Sequence, residues 1–453
     1  MPPPDAGDLI AAIATPSGRG GIGIVRLSGA SVSRVIEAIV GRDLTPRVAT
    51  RADFLSAGGE IIDQGLALYF PAPASYTGET VLELHGHGGP AVLSQVLRRC
   101  LELGARLAEP GEFTKRAFLN GKLDLAQAEG VADLIDAATA TAARAAARSL
   151  SGEFSAEITA IVEELTELRA FTEATLDFPD EDIEFIRATD ARGKLSNLRR
   201  RLSSILARAR QGSLLREGLN VALIGRPNVG KSSLLNRLAG DDVAIVTPHP
   251  GTTRDALREA IEVHGVPLRV IDTAGLRDTA DQVERIGIER TWATIGRADM
   301  VLIVTDARTP EHQDDAAIAA RLPAALRRIV VRNKIDLAGV DPRRNDTGAM
   351  REVWLSAKTG DGFELLRQAM LEAAGAHEDM EDAFLARERH LAAMRTAEAR
   401  LEAAAAQLEG SPPPLEFFAE ELRAAQQALS TITGEFTADD LLGAIFGRFC
   451  IGK

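Results

Sequence analysis

The chain has 453 residues, with 52 Lys and Arg against 65 Asp and Glu for a formal net charge of −13, so it is too long for one ordinary domain and too acidic to attract nucleic acid through its overall charge. Its two cysteines, Cys100 and Cys450, argue against a disulfide framework and for a reducing compartment. The sequence has no basic-then-apolar leader and no run near the ~20 apolar residues of a membrane span, so a soluble, cytoplasmic protein of two or three domains is expected, with any RNA contact left to a local basic patch or a partner.

From Asp8 to Leu119 short apolar strands alternate with Gly/Pro turns around one helix near Pro90 to Leu103, the pattern of a small α/β domain. Gly18 to Gly23 reads G-x-G-x-x-G, but Ile24 to Leu27 continues as a strand, whereas a pyrophosphate site needs a helix N-terminus there. A tight turn feeding that strand and a Gly-rich wall against a small ligand both remain open. His85 and His87 alternate onto one strand face, with no Cys or carboxylate pattern to complete a metal site. Glu83, on the same strand, fits either a solvated edge carboxylate or an acceptor for a polar heterocycle.

At Asp124 the composition turns to Ala-rich helix, with Leu125, Ala128, Val131, Ala132, Ile135, Ala138 and Ala142 at helical spacing, and helices continue to about Gly218. Pro179 and the acidic stretch Asp177 to Glu184 read as a solvated connection. Helical character returns from about Asp379 to Gly447. The expected limits are 1–120 for the N-terminal α/β domain, 121–217 and 378–453 for two parts of one all-α domain, and 218–377 for a nucleotide-binding domain inserted between them. The terminal Cys450-Ile451-Gly452-Lys453 has the length of a prenylation signal but not its chemistry. Cys450 fits both a small residue packed beside Phe446 and Phe449 and a thiol in contact with ligand or chemistry.

The inserted segment carries the strongest motif. Gly225 to Ser232, GRPNVGKS, follows an apolar strand at Leu219 to Ile224 and opens a helix, the arrangement of a phosphate loop. Backbone N–H groups and a helix dipole there meet phosphate, Lys231 reaches the outer phosphates, and the Ser232 hydroxyl ligates Mg2+. Asn228, Val229, Gly230, Lys231, Ser232 and Ser233 form the expected phosphate-binding set. A strand at Leu268 to Ile271 ends in Asp272, Thr273, Ala274 and Gly275, where an acid holds Mg2+ through water and a glycine N–H senses the γ-phosphate. A strand at Ile329 to Arg332 leads to Asn333, Lys334 and Asp336, whose carboxylate suits the two N–H donors of guanine and not adenine. Ser356, Ala357 and Lys358 complete the base loop. Between the first two motifs, Asp241 to Asp255 supplies Thr253 as the switch hydroxyl on Mg2+. Leu276 stands where small GTPases use glutamine to orient water, so an acid from Asp278, Asp281, Glu284 or Glu289 must do so, and Arg277 and Arg285 give no basis for choosing an arginine finger.

These motifs, with GRGGIGIVRLSG, YTGETVLELHGHGGP, PGEFTKRAFLNGKLDLAQAE, DTAGLRDTADQVERIGIER and FCIGK, resemble the MnmE (TrmE) family of tRNA wobble-uridine modification GTPases over essentially the whole length. The resemblance implies an α/β P-loop GTPase domain inserted in an all-α domain, preceded by a small α/β domain like the folate-binding domains. It implies homodimerisation through that domain and a tetrahydrofolate one-carbon donor (5-formyl or 5,10-methylene type) held at Arg26, Glu83, Lys122 and Lys453. It implies K+ held by Asn228, Thr247, His249 and Thr252, G domains that pair across nucleotide, and Glu284 as the water-orienting acid acting with Lys231. It also implies an FAD- and NADH-using partner, MnmG, with which the chain would form aminomethyl or carboxymethylaminomethyl uridine in tRNA, and a role for Cys450 in that modification. A competing reading is a ribosome- or RNA-assembly switch that uses GTP only for timing.

Overall fold

The computed structural model describes residues 8–177, 190–241, 260–272, 295–296, 298–309, 312–323, 326–346, 351–376, 380, 382–409, 413–435, 439–447 and 449–452. By contact clustering the chain divides into two units, one of Met1–Ala132, Ile158–Val162 and Gln426–Lys453, the other of Asp133–Glu157 and Glu163–Ala425.

The first unit is built on β1 (Ile10–Ile13), β2 (Gly20–Gly29), β3 (Thr50–Leu55), β4 (Ile61–Phe70), β5 (Thr80–Gly88) and β6 (Arg106–Leu107), ordered β3-β4-β5-β2-β1-β6. Every pairing is antiparallel except β1 with β6. Alternation along β2 and β5 sends Val25, Leu27, Leu82 and Leu84 to one buried face, where α1 (Pro90–Glu102) lays Leu93, Val96 and Cys100 against them. Each such side chain contributes roughly 1.5–3 kcal/mol by leaving water. Two sequence expectations change here. Gly20 and Gly23 lie inside β2, paired with β5 across a register shift, and do not form a turn ahead of it. Glu83 lies on a strand flanked by β4 and β2, so it is not an edge carboxylate. The short α2 (Glu112–Leu119) and α3 (Leu125–Asp136) follow, and Phe118, Leu125 and Ala128 form a cluster with Leu442, Ile445, Phe446 and Phe449 from the C-terminal segment.

In the second unit α4 (Ala140–Leu150), α5 (Glu153–Asp177) and α6 (Ala191–Glu217) precede a seven-stranded sheet. Its strands are β7 (Leu219–Ile224), β8 (Ala260–Val263), β9 (Val266–Asp272), β10 (Met300–Asp306), β11 (Arg327–Asn333), β12 (Arg343–Asn345) and β13 (Arg351–Leu355), in the order β12-β13-β11-β10-β7-β9-β8. The inner five strands pair in parallel, and β8 and β12 add antiparallel edges. Parallel strands covered on both faces must be apolar throughout, and β10, MVLIVTD, is buried along its whole length. That strand, absent from the sequence-based strand list, joins β7 to β11 and so brings the loops after both to one end of the sheet. Helices α7 (Lys231–Asp241), α8 (Gln313–Ala320), α9 (Phe363–Ala374), α10 (Glu388–Gln407), α11 (Leu415–Thr433) and α12 (Asp439–Phe446) follow, with α12 and the part of α11 from Gln426 onward in the first unit.

The two covalent crossings between helices and sheet share one carboxylate. Asp133, whose side chain is 6% exposed, accepts hydrogen bonds from Arg216 Nε at 3.1 Å and from an Arg387 guanidinium nitrogen at 2.9 Å. Arg216 sits at the last turn of α6, just before β7, and Arg387 is the N-cap of α10. Nearby, Thr139 caps α4 by accepting from Ala142 N–H at 3.0 Å and donates to the carbonyl of Gly265 in the β8–β9 turn at 2.8 Å.

Candidate nucleotide site and N-terminal ligand site

The phosphate loop joins β7 to α7, and its two fixed glycines are there because nothing larger fits. Gly225 has φ +147°, and a Cβ on it would stand 2.1 Å from the Val304 carbonyl oxygen of β10. Gly230 has φ +101°, and its Cβ would stand 2.2 Å from Asn333 Nδ2. Both positions leave the chain path open for backbone N–H groups to face a phosphate. Asn228 is also left-handed, at φ 65°, while Val229 is buried in the sheet core and anchors the loop. Ser232 and Ser233 are exposed in the first turn of α7, and Lys231 Nζ donates to the carbonyls of Gly225 at 2.7 Å and Arg226 at 2.9 Å.

Asn333 ties this loop to the base-side loops. Its Nδ2 donates to Val229 O at 2.9 Å, and its Oδ1 accepts from Lys334 N–H at 2.8 Å and Ala357 N–H at 2.9 Å. Lys334, left-handed at φ 72°, donates from Nζ to Asn228 O at 2.6 Å and to Asp306 Oδ2 at 3.0 Å. Asp336 is exposed and accepts from the buried Ser356 hydroxyl at 2.7 Å; Ala357 is buried and Lys358 exposed. The structure therefore gathers Asn228, Val229, Gly230, Lys231, Asn333, Lys334, Asp336, Ser356 and Ala357 into one braced assembly.

Two of its members were not legible as functional in the motifs. Asp306, at the end of β10, receives hydrogen bonds from Arg308; these hold its carboxyl well below the usual carboxylate range against the opposing effect of burial, with Lys334 adding to them. An ionised Asp306 fixes the Lys334 ammonium where it reaches the phosphate loop. Arg226, a variable position of the motif, pairs with the buried Asp315 at 3.0 Å. The only sequence signal for Asp306 was its place at the end of an apolar run.

Asp272 closes β9, but its side chain lies outside the described residues. Thr247, His249, Thr252, Thr253, Thr273, Ala274, Gly275, Glu284 and Lys453 lie outside them altogether, as do Leu276, Arg277, Asp278, Asp281, Arg285 and Glu289. The residues present fit a Mg2+-bound nucleoside triphosphate: the two glycines let the loop pack against Val304 O and Asn333 in a backbone path that side chains would block, and Ser232 offers an exposed hydroxyl in the first turn of α7.

In the first unit, Arg26 and Glu83 are directly opposed partners of β2 and β5. Arg26 Nε donates to Glu83 Oε1 at 2.9 Å, and His85 Nε2 lies 3.0 Å from Oε2. The guanidinium carbon of Arg26 lies 5.6 Å from the Tyr76 ring centroid and 5.8 Å from that of Phe113, and Tyr76 Oη is 2.8 Å from Thr114 Oγ1. Each carboxylate oxygen has two acceptor directions; with both Arg26 Nε and Nη2 at 2.9 Å from Oε1 and His85 on Oε2, Glu83 keeps capacity for one further donor beside these aromatics. His87 turns instead to Asp63, at 2.7 Å, and no group of three or more metal-ligating side chains occurs among the described residues. Lys122 is exposed beyond α2, its backbone N–H bonded to Ala117 O at 2.8 Å. Cys450 is exposed, while Phe446 and Phe449 beside it in sequence are buried. Its carbonyl accepts from Gly111 N–H at 3.3 Å, next to a bridge between Pro110 and Ile451.

A parallel sheet whose phosphate loop is locked through an asparagine to a separate base loop is the machinery of a P-loop GTPase, and the chain is an enzyme of that class, hydrolysing GTP. Residues 125–450 match the family model for the MnmE helical domain, and residues 9–122 that for the GTP-binding protein TrmE N-terminus. The chain is similar to the tRNA modification GTPase MnmE of Dechloromonas aromatica, 60% identical over 98% of this chain and 99% of that one. It is similar also to that of Azoarcus sp., 61% identical over 100% of this chain and 98% of that one. Among solved structures, the chain is similar to the G domain of the T. maritima FeoB iron transporter, 27% identical over 34% of this chain and 98% of that one with a TM-score of 0.27. The chain belongs to the MnmE (TrmE) family of tRNA modification GTPases. No helix among the described residues is long and apolar enough to cross a membrane.

Proposed function

We propose that this GTPase acts, as a homodimer with an FAD- and NADH-using partner of the MnmG kind, in forming aminomethyl or carboxymethylaminomethyl uridine at the wobble position of tRNA in the cytoplasm. The observation that carries this reading is the end-to-end match, N-terminal unit included, to relatives named for tRNA modification. An assembly switch would need the GTP site alone.

In this reading the domain limits of the sequence analysis hold, and a tetrahydrofolate donor supplies the one-carbon unit. Glu83 accepts the donor edge of the pterin, held in place by Arg26 and His85. Tyr76 and Phe113 offer the ring faces, and Lys122 and Lys453 meet the anionic tail. In the GTP site Lys231 turns from its loop carbonyls to the β- and γ-phosphates, and Ser232 and Thr253 hold Mg2+ with Asp272 behind water. Asn228, Thr247, His249 and Thr252 hold K+, which supplies positive charge at the phosphates where other GTPases use an arginine. Glu284 orients the attacking water, and Asp336 selects guanine.

GTP contributes no atoms to the product, so hydrolysis acts through movement. The Asp133 carboxylate, bonded to both crossings, is the route by which a change in the sheet reaches the helices. Asp133→Asn keeps the shape and removes the charge; the expected result is a fall of about 10-fold in tRNA modified per GTP hydrolysed, and an unchanged ratio sinks the route. The reading as a whole is tested by GTP hydrolysis in KCl against NaCl at matched ionic strength, with thermal shift of the full chain by reduced folate. A strong K+ preference and a raised midpoint are expected; equal rates and no shift favour the assembly switch.

A further inference from the structure

Helix α6 is an anomaly of charge. From Ala191 to Arg216 it carries eight Arg and Lys residues and no Asp or Glu, in a chain of formal net charge −13. Its buried stripe of Leu195, Leu198, Leu202, Ile205, Leu206 and Ala209 fixes which side faces water. Three of the cations turn sideways to carboxylates on neighbouring helices: Arg201 to Glu164, Arg208 to Glu157 at 2.9 Å, and Arg216 to Asp133 at 3.1 Å. Arg199 has Glu402 only at 3.9 Å.

The solvent-facing cations have no such compensation. Among the described residues Arg200 and Arg210 pair with no carboxylate, Arg200 bonding only to Asn197 of its own helix at 2.7 Å. Arg192 donates to the neutral carbonyl of Leu408 at 2.5 Å, and Lys194 lies 5.6 Å from the Phe171 ring centroid. Between them the exposed residues are Gly193, Ser196, Ser203, Ser204 and Ala207. Arg192 to Arg210 spans about 27 Å at the helical rise, long enough to follow several successive phosphates. No exposed large apolar side chain occurs on α6 itself, and the nearest described one, the half-exposed Phe171, lies beneath Lys194 at the N-terminal end, away from Arg200 and Arg210, so the stretch between those two arginines lacks the apolar anchors a protein partner needs. Guanidinium, ammonium and hydroxyl donors without an apolar centre are what nucleic-acid backbone takes.

We propose that the solvent face of α6 is the surface on which the tRNA backbone docks, with Arg200 and Arg210 as phosphate contacts; this rests on the tRNA-modification reading above. It also reconciles an acidic chain with an RNA substrate, since the attraction is local.

The test is equilibrium binding of an unmodified tRNA transcript to the full chain and to the Arg200→Gln/Arg210→Gln double variant, by fluorescence anisotropy across a KCl series. Two lost phosphate contacts lower the salt slope by about 1.4–1.8 and weaken binding roughly 10-fold at low salt. A thermal midpoint equal to that of the unsubstituted chain shows that the variant folds. Arg201→Gln, which breaks the pair with Glu164, is the contrast, and its slope stays within about 0.3 of the original. An unchanged slope and affinity in the double variant overturns the surface and leaves the tRNA reading standing. An unsubstituted chain that binds no tRNA overturns both. A double variant that keeps tRNA but loses an acidic partner protein assigns the face to protein and overturns the proposal.

Discussion

The GTP site and the Arg26–Glu83 cluster hold their polar side chains in place in opposite ways. In the GTP site the central side chain, Asn333, is fixed by backbone groups of other loops, touching Val229 O and Ala357 N–H. In the N-terminal sheet the groups are fixed by one another across strands, 57 residues apart in sequence. A loop brace tolerates no change of shape, because its acceptors are backbone. A cross-strand cluster tolerates conservative exchange but depends on register, since a one-residue slip turns Glu83 to the other face.

The sharpest way to break this contrast is Gly230→Ala. With φ +101° and a Cβ 2.2 Å from Asn333 Nδ2, it is expected to weaken nucleotide binding about 100-fold, or ~2.7 kcal/mol, by titration with a fluorescent guanine nucleotide. Asn333→Ala comes next. It leaves Val229 O and the Lys334 and Ala357 N–H groups unpaired, and a loss of about 30-fold is expected in the same titration. If either variant binds within about twofold of the unsubstituted chain, the brace is not what shapes the site. In the sheet, Glu83→Gln keeps shape and loses charge, and a fall of only about 10-fold in reduced-folate affinity by calorimetry is expected; a complete loss would make the cluster as intolerant as the loop.

A smaller effect tests the N-terminal unit alone. Burial pushes the Glu112 carboxyl up, but hydrogen bonds from Arg106, Glu109 N–H and Arg116 outweigh it and leave the group below its ordinary value of 4.5. A lowered native pKa means stability that is complete above the ordinary value and is lost as pH falls from there through the native one. Arg106→Gln should therefore flatten the fall of stability below about pH 4.5, measured by urea titration at stepped pH. The smallest effect is chemical. Burial pushes the Cys100 thiol up to about 12, whereas Cys450 is exposed, so mild alkylation of the folded chain should label Cys450 and leave Cys100 unmodified, as read by mass spectrometry.

What could be read in advance follows from the same contrast. The phosphate loop, the Asn333–Asp336 loop and Ser356–Lys358 are contiguous runs whose geometry is local, and all were placed from the sequence. Strand β10 is six apolar or strand-forming residues closed by Asp306, and no motif at its end marks either the strand or that acid as part of the site. In sequence Glu83 fits an edge carboxylate as well as an inner one, because nothing in one strand's sequence states how many neighbours that strand has.

The sequence by itself determined the class of protein, the nucleotide chemistry and the helical character of the flanks, since glycines at fixed spacing and periodic apolar residues act within a few residues of themselves. Only the tertiary structure decided that Asn333 braces the phosphate loop, that Asp133 holds both crossings, and that Arg200 and Arg210 face solvent without a carboxylate while Arg201 and Arg208 are paired with Glu164 and Glu157. Those outcomes depend on which distant groups the fold brings within about 3 Å, where a hydrogen bond or ion pair forms or does not, and that distance is written in no single stretch of chain.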